Sequence, residues 1–262
     1  MPSRLARISA CTVALAAAGS ALYGLGVATA DNSVPRTDRE IPNVTKVEDS
    51  INAYYGGTAD ASGAYQASPK SNYAKQVEGI EARAKRQIAG AAHRTGHGRK
   101  PAIVLDVDDT TLLTYDYEKK NGFAYNATAF NDYVQSARSI AVFGMPDVVN
   151  YAAKKGVTVF FLTGRDETQR TASATNLTRA GYQVPVDRSH FYLKDPNAAP
   201  PYLSCGTPKW TCTTVQFKAG TRKHIESLGY DIVANFGDQY SDLGGGYADK
   251  TYKIPNPMYF LP

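Results

Sequence analysis

The sequence predicts an α/β fold with a mostly parallel sheet. Three apolar runs, residues 102–105, 157–162 and 232–234, lack polar alternation, as expected of strands buried on both faces. Helix-like segments separate these runs, and strand–helix alternation implies right-handed crossovers in a layered sheet. Short runs at 191–193 and 251–254 would bring the sheet to five strands.

The helices of this region, residues 101–262, carry start and stop signals. A proline stands in the first turn of one helix, and paired capping residues open the other two. A glycine follows the end of each helix. These signals are Pro146 with Gly156, Asp166 and Gln169 with Gly181, and Thr213 and Gln216 with Gly229.

Upstream, residues 44–100 are predicted to form an N-terminal helical segment. Ala, Lys, Glu and Gln favour helix up to residue 92, and a Gly/Ser/Pro-rich stretch at 56–71 divides the segment into two helices. A basic stretch follows at 93–100. His93 and His97 would suit a metal ion if they were helical, but the glycines beside them favour a solvated loop.

Residues 1–30 have the pattern of a secretory signal peptide, because a positive start precedes an uncharged apolar stretch that ends in small residues. We predict cleavage after Ala30, hence a secreted protein, with a flexible polar tail at 31–43. The alternative is an uncleaved membrane anchor, since the stretch is long enough to span a bilayer. No later segment has that apolar length, so we expect no stable membrane association after cleavage.

The composition, 43% hydrophobic and 20% charged, fits a globular protein and excludes collagen-like and highly charged disordered chains. The formal net charge is +5, and Arg4 and Arg7 of the predicted leader supply two of the positive charges. So small an excess gives little support for a nucleic acid duplex or an anionic membrane as partner. A small-molecule ligand is the better expectation.

Export also bears on the cysteines. Cys11 lies in the leader, which leaves Cys205 and Cys212 in the mature chain. In an oxidising compartment we expect these two to form a disulfide, which would clamp the Pro-rich stretch 196–208. A metal or redox pair is the alternative, but the spacing is not Cys-x-x-Cys and no histidine lies between them.

Polar residues follow the predicted strands. Because ligands bind beyond the carboxyl ends of strands in an open parallel sheet, these residues should share one crevice. Clustered acidic groups repel unless some are protonated or a cation lies among them, and oxygen ligands favour a hard ion such as Mg²⁺. The residues are Asp106-Val107-Asp108-Asp109-Thr110, Thr163-Gly164-Arg165 and Asp238-Gln239-Tyr240-Ser241-Asp242.

Lys218 lies near the start of the third predicted helix, where the helix macrodipole disfavours a cation. A buried anion or carboxylate nearby would reverse that preference. The alternative is a solvated surface lysine, the more common fate of this residue type.

Together these patterns resemble the four motifs of the haloacid dehalogenase (HAD) superfamily of phosphatases. The resemblance is closest to its acid phosphatase branch, subfamily IIIB, which includes plant acid phosphatases and vegetative storage proteins. It covers residues 101–262 and implies a Rossmann-like three-layer α/β/α fold. Asp109 stands where this branch often has Glu, and Tyr240 where Trp is frequent. The motifs are Asp106-x-Asp108-x-Thr110, Thr163, Lys218 and Gly237-Asp238-x-x-x-Asp242.

The resemblance implies a Mg²⁺-dependent phosphate monoesterase. Asp106 would be the nucleophile, and Asp108 would protonate the leaving oxygen and then activate water. Arg165 would either touch the phosphate or pair with a carboxylate. The implied phosphate-binding residues are Thr163, Gly164, Arg165 and Lys218. The implied metal ligands are Asp106, Asp238, the backbone carbonyl of Asp108 and, directly or through another ligand, Asp242.

Purely structural roles are the alternative for several of these residues. Asp109 would cap a turn, Thr110 would hold its loop through hydrogen bonds, and Asp242 would be an ordinary carboxylate at a helix N-terminus. For the function of the whole protein, two alternatives to a phosphate hydrolase remain. One is a non-catalytic extracellular storage or binding protein on the same scaffold, and the other is a phosphotransferase.

An insert at residues 112–143 follows the first motif, where members of this superfamily carry a cap. We expect a small helical cap there. Its aromatic residues would either form an apolar rim that favours aromatic or nucleoside leaving groups, or pack the insert's own small core. The aromatic residues are Tyr115, Tyr117, Phe123, Tyr125, Phe130 and Tyr133.

Overall fold

The computed structural model describes residue 35 and residues 37–92 and 98–262. The predicted signal peptide and the His93–His97 pair lie outside these residues. The strands are β1 (Thr58–Ala59), β2 (Tyr65–Gln66), β3 (Lys100–Leu105), β4 (Leu112–Leu113), β5 (Ile140–Ala141), β6 (Thr158–Asp166), β7 (Phe191–Lys194), β8 (Tyr230–Gly237) and β9 (Thr251–Lys253). The helices are α1 (Val44–Tyr55), α2 (Asn72–Ala92), α3 (Tyr115–Lys120), α4 (Ala127–Gln135), α5 (Met145–Lys154), α6 (Arg170–Arg179), α7 (Thr214–Ser227) and α8 (Tyr240–Leu243).

Five strands form one sheet in the order β7-β6-β3-β8-β9, and every neighbouring pair is parallel. All five predicted strands are present, so the predicted α/β class is confirmed. The first strand of the sheet, β3, lies in its centre between β6 and β8. Strand order changes direction there, which places a ligand-binding crevice at the carboxyl ends of β3 and its neighbours.

Alternate side chains of the sheet enter two separate hydrophobic cores, as period-two geometry requires. In β3, Ile103 and Leu105 belong to one core, and Ala102 and Val104 belong to the other. Helices α2 and α5 contribute to the first core, and α7 contributes to the second. The sheet is therefore covered on both faces, which explains why its strands lack polar alternation.

Strand β6 is longer than predicted. It extends to Asp166. The sequence analysis had placed Thr163-Gly164-Arg165 after the strand, but these residues lie within it. The pairing of β6 with β7 is irregular between Leu162 and Asp166, and Asp166 pairs with Lys194.

Two helices, α1 and α2, precede the sheet, as predicted. Helix α2 buries a stripe at three- and four-residue spacing, the pattern of an amphipathic helix packed on a core. The stripe consists of Tyr73, Val77, Ile80, Ala84, Ile88 and Ala91. Between α1 and α2, β1 and β2 form a two-stranded antiparallel ladder that the sequence analysis did not predict.

The insert after the first motif is closed by antiparallel pairing of β4 with β5 and carries helices α3 and α4. The disulfide between Cys205 and Cys212 is present, with a Cα–Cα distance of 4.9 Å, so that prediction is confirmed. Residues 45–262 form one compact unit. Among the described helices, none is both long and apolar enough to cross a membrane. Before that unit, Asp38–Glu40 forms an exposed 3-10 turn.

Candidate active site

A cavity of about 540 Å³ lies at the carboxyl ends of β3, β6 and β8. Residues from these strand ends line it together with side chains of the insert, of the segment around the disulfide and of the C-terminus. Two parts of this cavity are named by their residues. The carboxylate floor consists of Asp106, Asp238, Asp242 and Lys218. The aromatic mouth consists of Phe123, Tyr125, Trp210 and Phe260.

The floor brings together side chains that are far apart in sequence. Asp106 follows β3, and its backbone N–H donates to the carbonyl of Phe236 in β8 at 3.0 Å. Asp238 follows β8. One carboxylate oxygen from each of Asp106, Asp238 and Asp242 lies within 4.8 Å of the others, and all three residues are buried. A cluster of carboxylate oxygens suits a hard divalent cation.

Lys218 stands in the second turn of α7 and is only 3% exposed. Its ammonium group forms ion pairs with Asp106 and, at 2.5 Å, with Asp242. The alternative of a solvated surface lysine is therefore wrong. Burial alone would lower the pKa of Lys218, but the carboxylates of Asp106 and Asp242 raise it above its ordinary value. Lys218 is thus a fixed positive charge beside Asp106.

Asp242 performs two tasks. One oxygen pairs with Lys218, and the other accepts the backbone N–H of Gln239 at 2.9 Å at the start of α8. The ordinary helix-terminal role and a role in the site therefore coexist. A Cβ at Gly237 would lie 2.3 Å from the Cβ of Asp242, so the Gly237-Asp238 step needs glycine for this close approach.

Asp238 is held by three donors. Its carboxylate accepts from the side-chain amides of Gln239 and Asn256, both at 2.7 Å, and from the hydroxyl of Thr110 at 3.2 Å. Burial, with the charges of Asp242 and Asp109, nevertheless raises the pKa of Asp238 to about 7. This excess of buried negative charge is what a bound cation would offset.

Asp108 forms a two-point ion pair with Arg165. The guanidinium donates from Nη2 to Oδ1 at 2.6 Å and from Nε to Oδ2 at 3.0 Å. A further bond runs from Nη1 to the hydroxyl of Ser173 at 2.8 Å. The sequence analysis left open whether Arg165 touches the phosphate or pairs with a carboxylate, and in the structure it pairs with the carboxylate of Asp108. The side chain of Asp108 lies outside the three-carboxylate cluster, although the sequence analysis included this residue among the metal ligands through its backbone carbonyl.

The residues around Arg165 separate into buried and exposed positions. Thr163 is 1% exposed, its hydroxyl accepts the backbone N–H of Arg165 at 3.1 Å, and it is absent from the described cavity lining. Gly164 is exposed and lines the cavity. The backbone at Gly164 is therefore better placed than the Thr163 hydroxyl to meet a ligand.

Asp109 ties the first motif to the C-terminal segment. It is fully buried at a positive φ of 52°, and its carboxylate accepts from the hydroxyls of Thr114 at 2.5 Å and Tyr259 at 2.8 Å. Thr114 also donates its backbone N–H at 2.9 Å. Asp109 therefore holds its loop, which agrees with the structural role that the sequence analysis left open.

The aromatic residues of the insert divide between the two predicted roles. Tyr115 is an exception, because it stacks at 4.6 Å on Tyr55 of α1, outside the insert, and belongs to the main core. Tyr117 packs edge-on against Phe130 within the insert at 5.1 Å. Phe123, Tyr125 and Phe130 line the cavity. The insert thus has a small core of its own and also contributes an apolar wall.

Several residues of the site were missed by sequence reasoning. Trp210, the single tryptophan of the chain, lies between the bridged cysteines and lines the cavity beside Lys194. Arg222 is fully buried and donates to the carbonyls of Asp242, Gly244 and Gly246. It follows Lys218 by one helical turn, so the shared helix face was an available signal. Asn256, whose side-chain amide donates to Asp238, had no role assigned from the sequence.

Solved structures with this architecture define the class of the fold. The class C acid phosphatase of Bacillus anthracis, crystallised with tungstate bound, superposes with a TM-score of 0.58 at 23% identity. The match covers 83% of this chain and 87% of that one. A second structure of the class C acid phosphatase from Bacillus anthracis gives a TM-score of 0.54, with 71% and 80% covered. The likeness shows a mixed α/β fold of the HAD type.

The chain belongs to the HAD superfamily, subfamily IIIB (acid phosphatase), whose family model matches residues 57–262. Among similar plant proteins, the stem 28 kDa glycoprotein of Glycine max is 30% identical over 62% of this chain. Acid phosphatase 1 of Solanum lycopersicum is 28% identical over 63%, and vegetative storage protein 2 of Arabidopsis thaliana is 27% identical over 61%. The matches span 61%, 61% and 56% of these relatives, respectively.

Proposed function

We propose that this protein is an exported acid phosphatase that hydrolyses small phosphate monoesters through an aspartyl-phosphate intermediate with the help of Mg²⁺. The observation that carries the proposal is the carboxylate floor, where three buried carboxylates lie close together and two of them, Asp106 and Asp242, pair with the buried ammonium of Lys218. Membership in the acid phosphatase subfamily supports the same reaction. The leader pattern and the disulfide support export.

The side chains divide the chemistry among them. The carboxylate of Asp106 attacks phosphorus, and the bond from phosphorus to the leaving oxygen breaks as Asp108 donates a proton to that oxygen. Asp108, now a carboxylate, takes a proton from water, whose oxygen attacks the aspartyl phosphate. Inorganic phosphate leaves and Asp106 returns to its starting form. Asp108 lines the cavity, and the two-point contact with Arg165 fixes the position of its carboxyl group there.

The positive charge that phosphoryl transfer needs has two sources. Lys218 provides one within the chain. A divalent cation held by Asp106, Asp238, Asp242 and the backbone carbonyl of Asp108 would supply the other by offsetting charge on the phosphate oxygens. The donor set fits such an ion, since it consists of oxygen atoms and carries more buried negative charge than Lys218 balances.

Phosphate release from phenyl phosphate tests the proposal. We expect turnover that EDTA abolishes and added Mg²⁺ restores. Asp106→Asn should lower turnover by at least about a thousandfold, because the nucleophile is lost. Asp147→Asn, at an exposed position of α5, is the matched control and should retain activity.

The outcomes also separate the alternatives. No release with any tested divalent cation would indicate the storage or binding protein. Release that persists in EDTA would overturn the metal requirement. If an added acceptor alcohol becomes phosphorylated in place of water, the protein is a phosphotransferase that shares the same intermediate.

A further inference from the structure

Glu118 has no role in the mechanism above. It lies in the insert helix α3, is 5% exposed and lines the cavity. Within residues 37–92 and 98–262, no hydrogen bond or ion pair reaches its carboxyl group. The neighbouring lysines are engaged elsewhere, since Lys119 donates to Asn52 at 3.0 Å and Lys120 pairs with Asp116 at 2.8 Å.

The other acidic residues of the cavity provide a contrast. Asp106 and Asp242 pair with Lys218, and Asp108 pairs with Arg165. Asp238 accepts two side-chain amides. Even Asp166, at the end of β6, accepts the backbone N–H of Thr168 at 2.9 Å. In the described cavity, Glu118 is therefore the acidic residue whose carboxyl is left for something outside the chain.

A largely buried carboxyl without a protein partner is costly, because it loses part of its hydration and gains no hydrogen bond in return. Burial, with the charge of Asp108, raises the pKa of Glu118 to about 7. A donor group on a bound ligand would remove this cost by completing the missing hydrogen bond. The Glu118 carboxyl is thus an acceptor whose hydrogen-bond donor would come from a bound ligand.

The surroundings of Glu118 indicate which part of a substrate would meet it. The phosphate belongs at the carboxylate floor beside Lys218, and a carboxylate repels a phosphate dianion. Asp108, the proposed proton donor to the leaving oxygen, lines the same cavity as Glu118. Phe123 and Phe130 line the same cavity with apolar surface. Glu118 therefore faces the space of the leaving group and not that of the phosphate.

We propose that Glu118 is a specificity-determining residue, which selects phosphate monoesters whose leaving group carries a hydrogen-bond donor, either a hydroxyl or an ammonium group. The inference rests on the proposed function, because it assigns the leaving-group side of the same site. The carboxyl accepts the donor, and the aromatic wall covers the intervening carbon atoms. Esters of the same length that end in a methyl group lack this contact.

A matched substrate series tests the inference. The series consists of propyl, 2-hydroxyethyl and 2-aminoethyl phosphate, together with butyl, 3-hydroxypropyl and 3-aminopropyl phosphate. For at least one chain length, kcat/KM of the wild-type protein should favour the donor-bearing esters by about tenfold, the worth of one buried hydrogen bond. Glu118→Leu should abolish this preference. Glu118→Gln, which keeps an acceptor oxygen, should retain the hydroxyl preference and lose the ammonium preference.

Glu78→Gln, at an exposed position of α2, controls for the loss of one negative charge and should keep the wild-type preferences. Equal kcat/KM values across both chain lengths in the wild type would overturn the inference. So would a Glu118→Leu protein that loses the same factor on every ester, because that is the behaviour of a purely structural residue.

A binding measurement separates this inference from the proposed function. Titration calorimetry compares 3-aminopropylphosphonate with butylphosphonate, neither of which can be hydrolysed. We expect tighter binding of the amine to the wild type and equal binding of both compounds to Glu118→Leu. If phenyl phosphate is not hydrolysed but this difference holds, the proposed function fails and the recognition role stands. If phenyl phosphate is hydrolysed and neither binding nor kcat/KM depends on the donor, only the role of Glu118 fails.

Discussion

The carboxylate floor and the aromatic mouth belong to one cavity, but they are built from different parts of the fold. The floor is attached to β3, α7, β8 and α8, and each of its residues is at most 7% exposed. The mouth belongs to the insert, the disulfide segment and the C-terminus. There Tyr125 is 74% exposed and Phe260 is 73% exposed.

The two regions also differ in how their side chains are held. Every charge of the floor has an opposite charge or an amide as partner, so a change at one residue leaves another buried charge without compensation. The mouth is held by packing, and an exposed ring there can be lost at small cost to the fold. We infer that the floor determines the reaction, whereas the mouth and Glu118 determine which esters are accepted.

Removal of the positive charge of Lys218 from the carboxylate floor should have the largest effect on stability. Lys218→Met leaves the carboxylates of Asp106 and Asp242 buried without their shared partner. We expect the free energy of unfolding to fall by about 3–5 kcal/mol, as for other broken buried ion pairs. Urea denaturation in EDTA at neutral pH measures this change.

Lys223→Met is the matched control, because Lys223 lies on the same helix and is exposed. It should change the free energy of unfolding by less than about 0.5 kcal/mol. If the two variants had the same stability, the ion pairs of the floor would contribute nothing to the fold, and the contrast with the mouth would be wrong.

The floor was more predictable from sequence than the mouth. Its residues follow apolar runs that must be strands, and the carboxyl ends of parallel strands meet at one edge of the sheet. Asp106 and Asp238 could therefore be placed together although 131 residues lie between them. Lys218 needed one further step, from an unfavourable helix position to a buried anion.

The aromatic mouth depends on short strands and loops, whose sequences show no hydrophobic periodicity. Neither the two-residue strands of the insert nor the loop that presents Trp210 leaves a hydrophobic pattern to read. Glu118 is followed by two lysines and resembles an ordinary exposed helix residue in sequence; only the packing of α3 buries it. The partner of Arg165 also stayed open, because sequence order does not tell whether a guanidinium meets a carboxylate or a ligand.

Arg165 lies between the two regions, and its replacement should have an intermediate effect. Arg165→Lys keeps a positive charge but loses the two-point contact that orients Asp108. We expect kcat for propyl phosphate to fall about a hundredfold, because an alkoxide leaves slowly without a well-placed proton donor. Phenyl phosphate should lose much less, since phenolate needs little protonation. Steady-state kinetics on both esters measures the difference.

Arg188→Lys provides the control, because Arg188 is 77% exposed and pairs with Glu167. It should leave both esters unaffected. An equal loss on propyl and phenyl phosphate in Arg165→Lys would contradict the positioning role, and would instead indicate that Arg165 binds the phosphate group that both esters share.

The smallest effect is expected at the mouth. Tyr125→Ala removes an exposed ring that lines the cavity, so the fold should be unchanged. The ratio of kcat/KM for phenyl over propyl phosphate should fall about three- to fivefold, the worth of roughly 1 kcal/mol of aromatic contact. Leu228→Ala, an exposed apolar residue absent from the described lining of this cavity, should leave the ratio as it is. A ratio that does not change in Tyr125→Ala would restrict the insert's aromatic residues to packing, and selectivity at the mouth would then rest on Trp210 and Phe260.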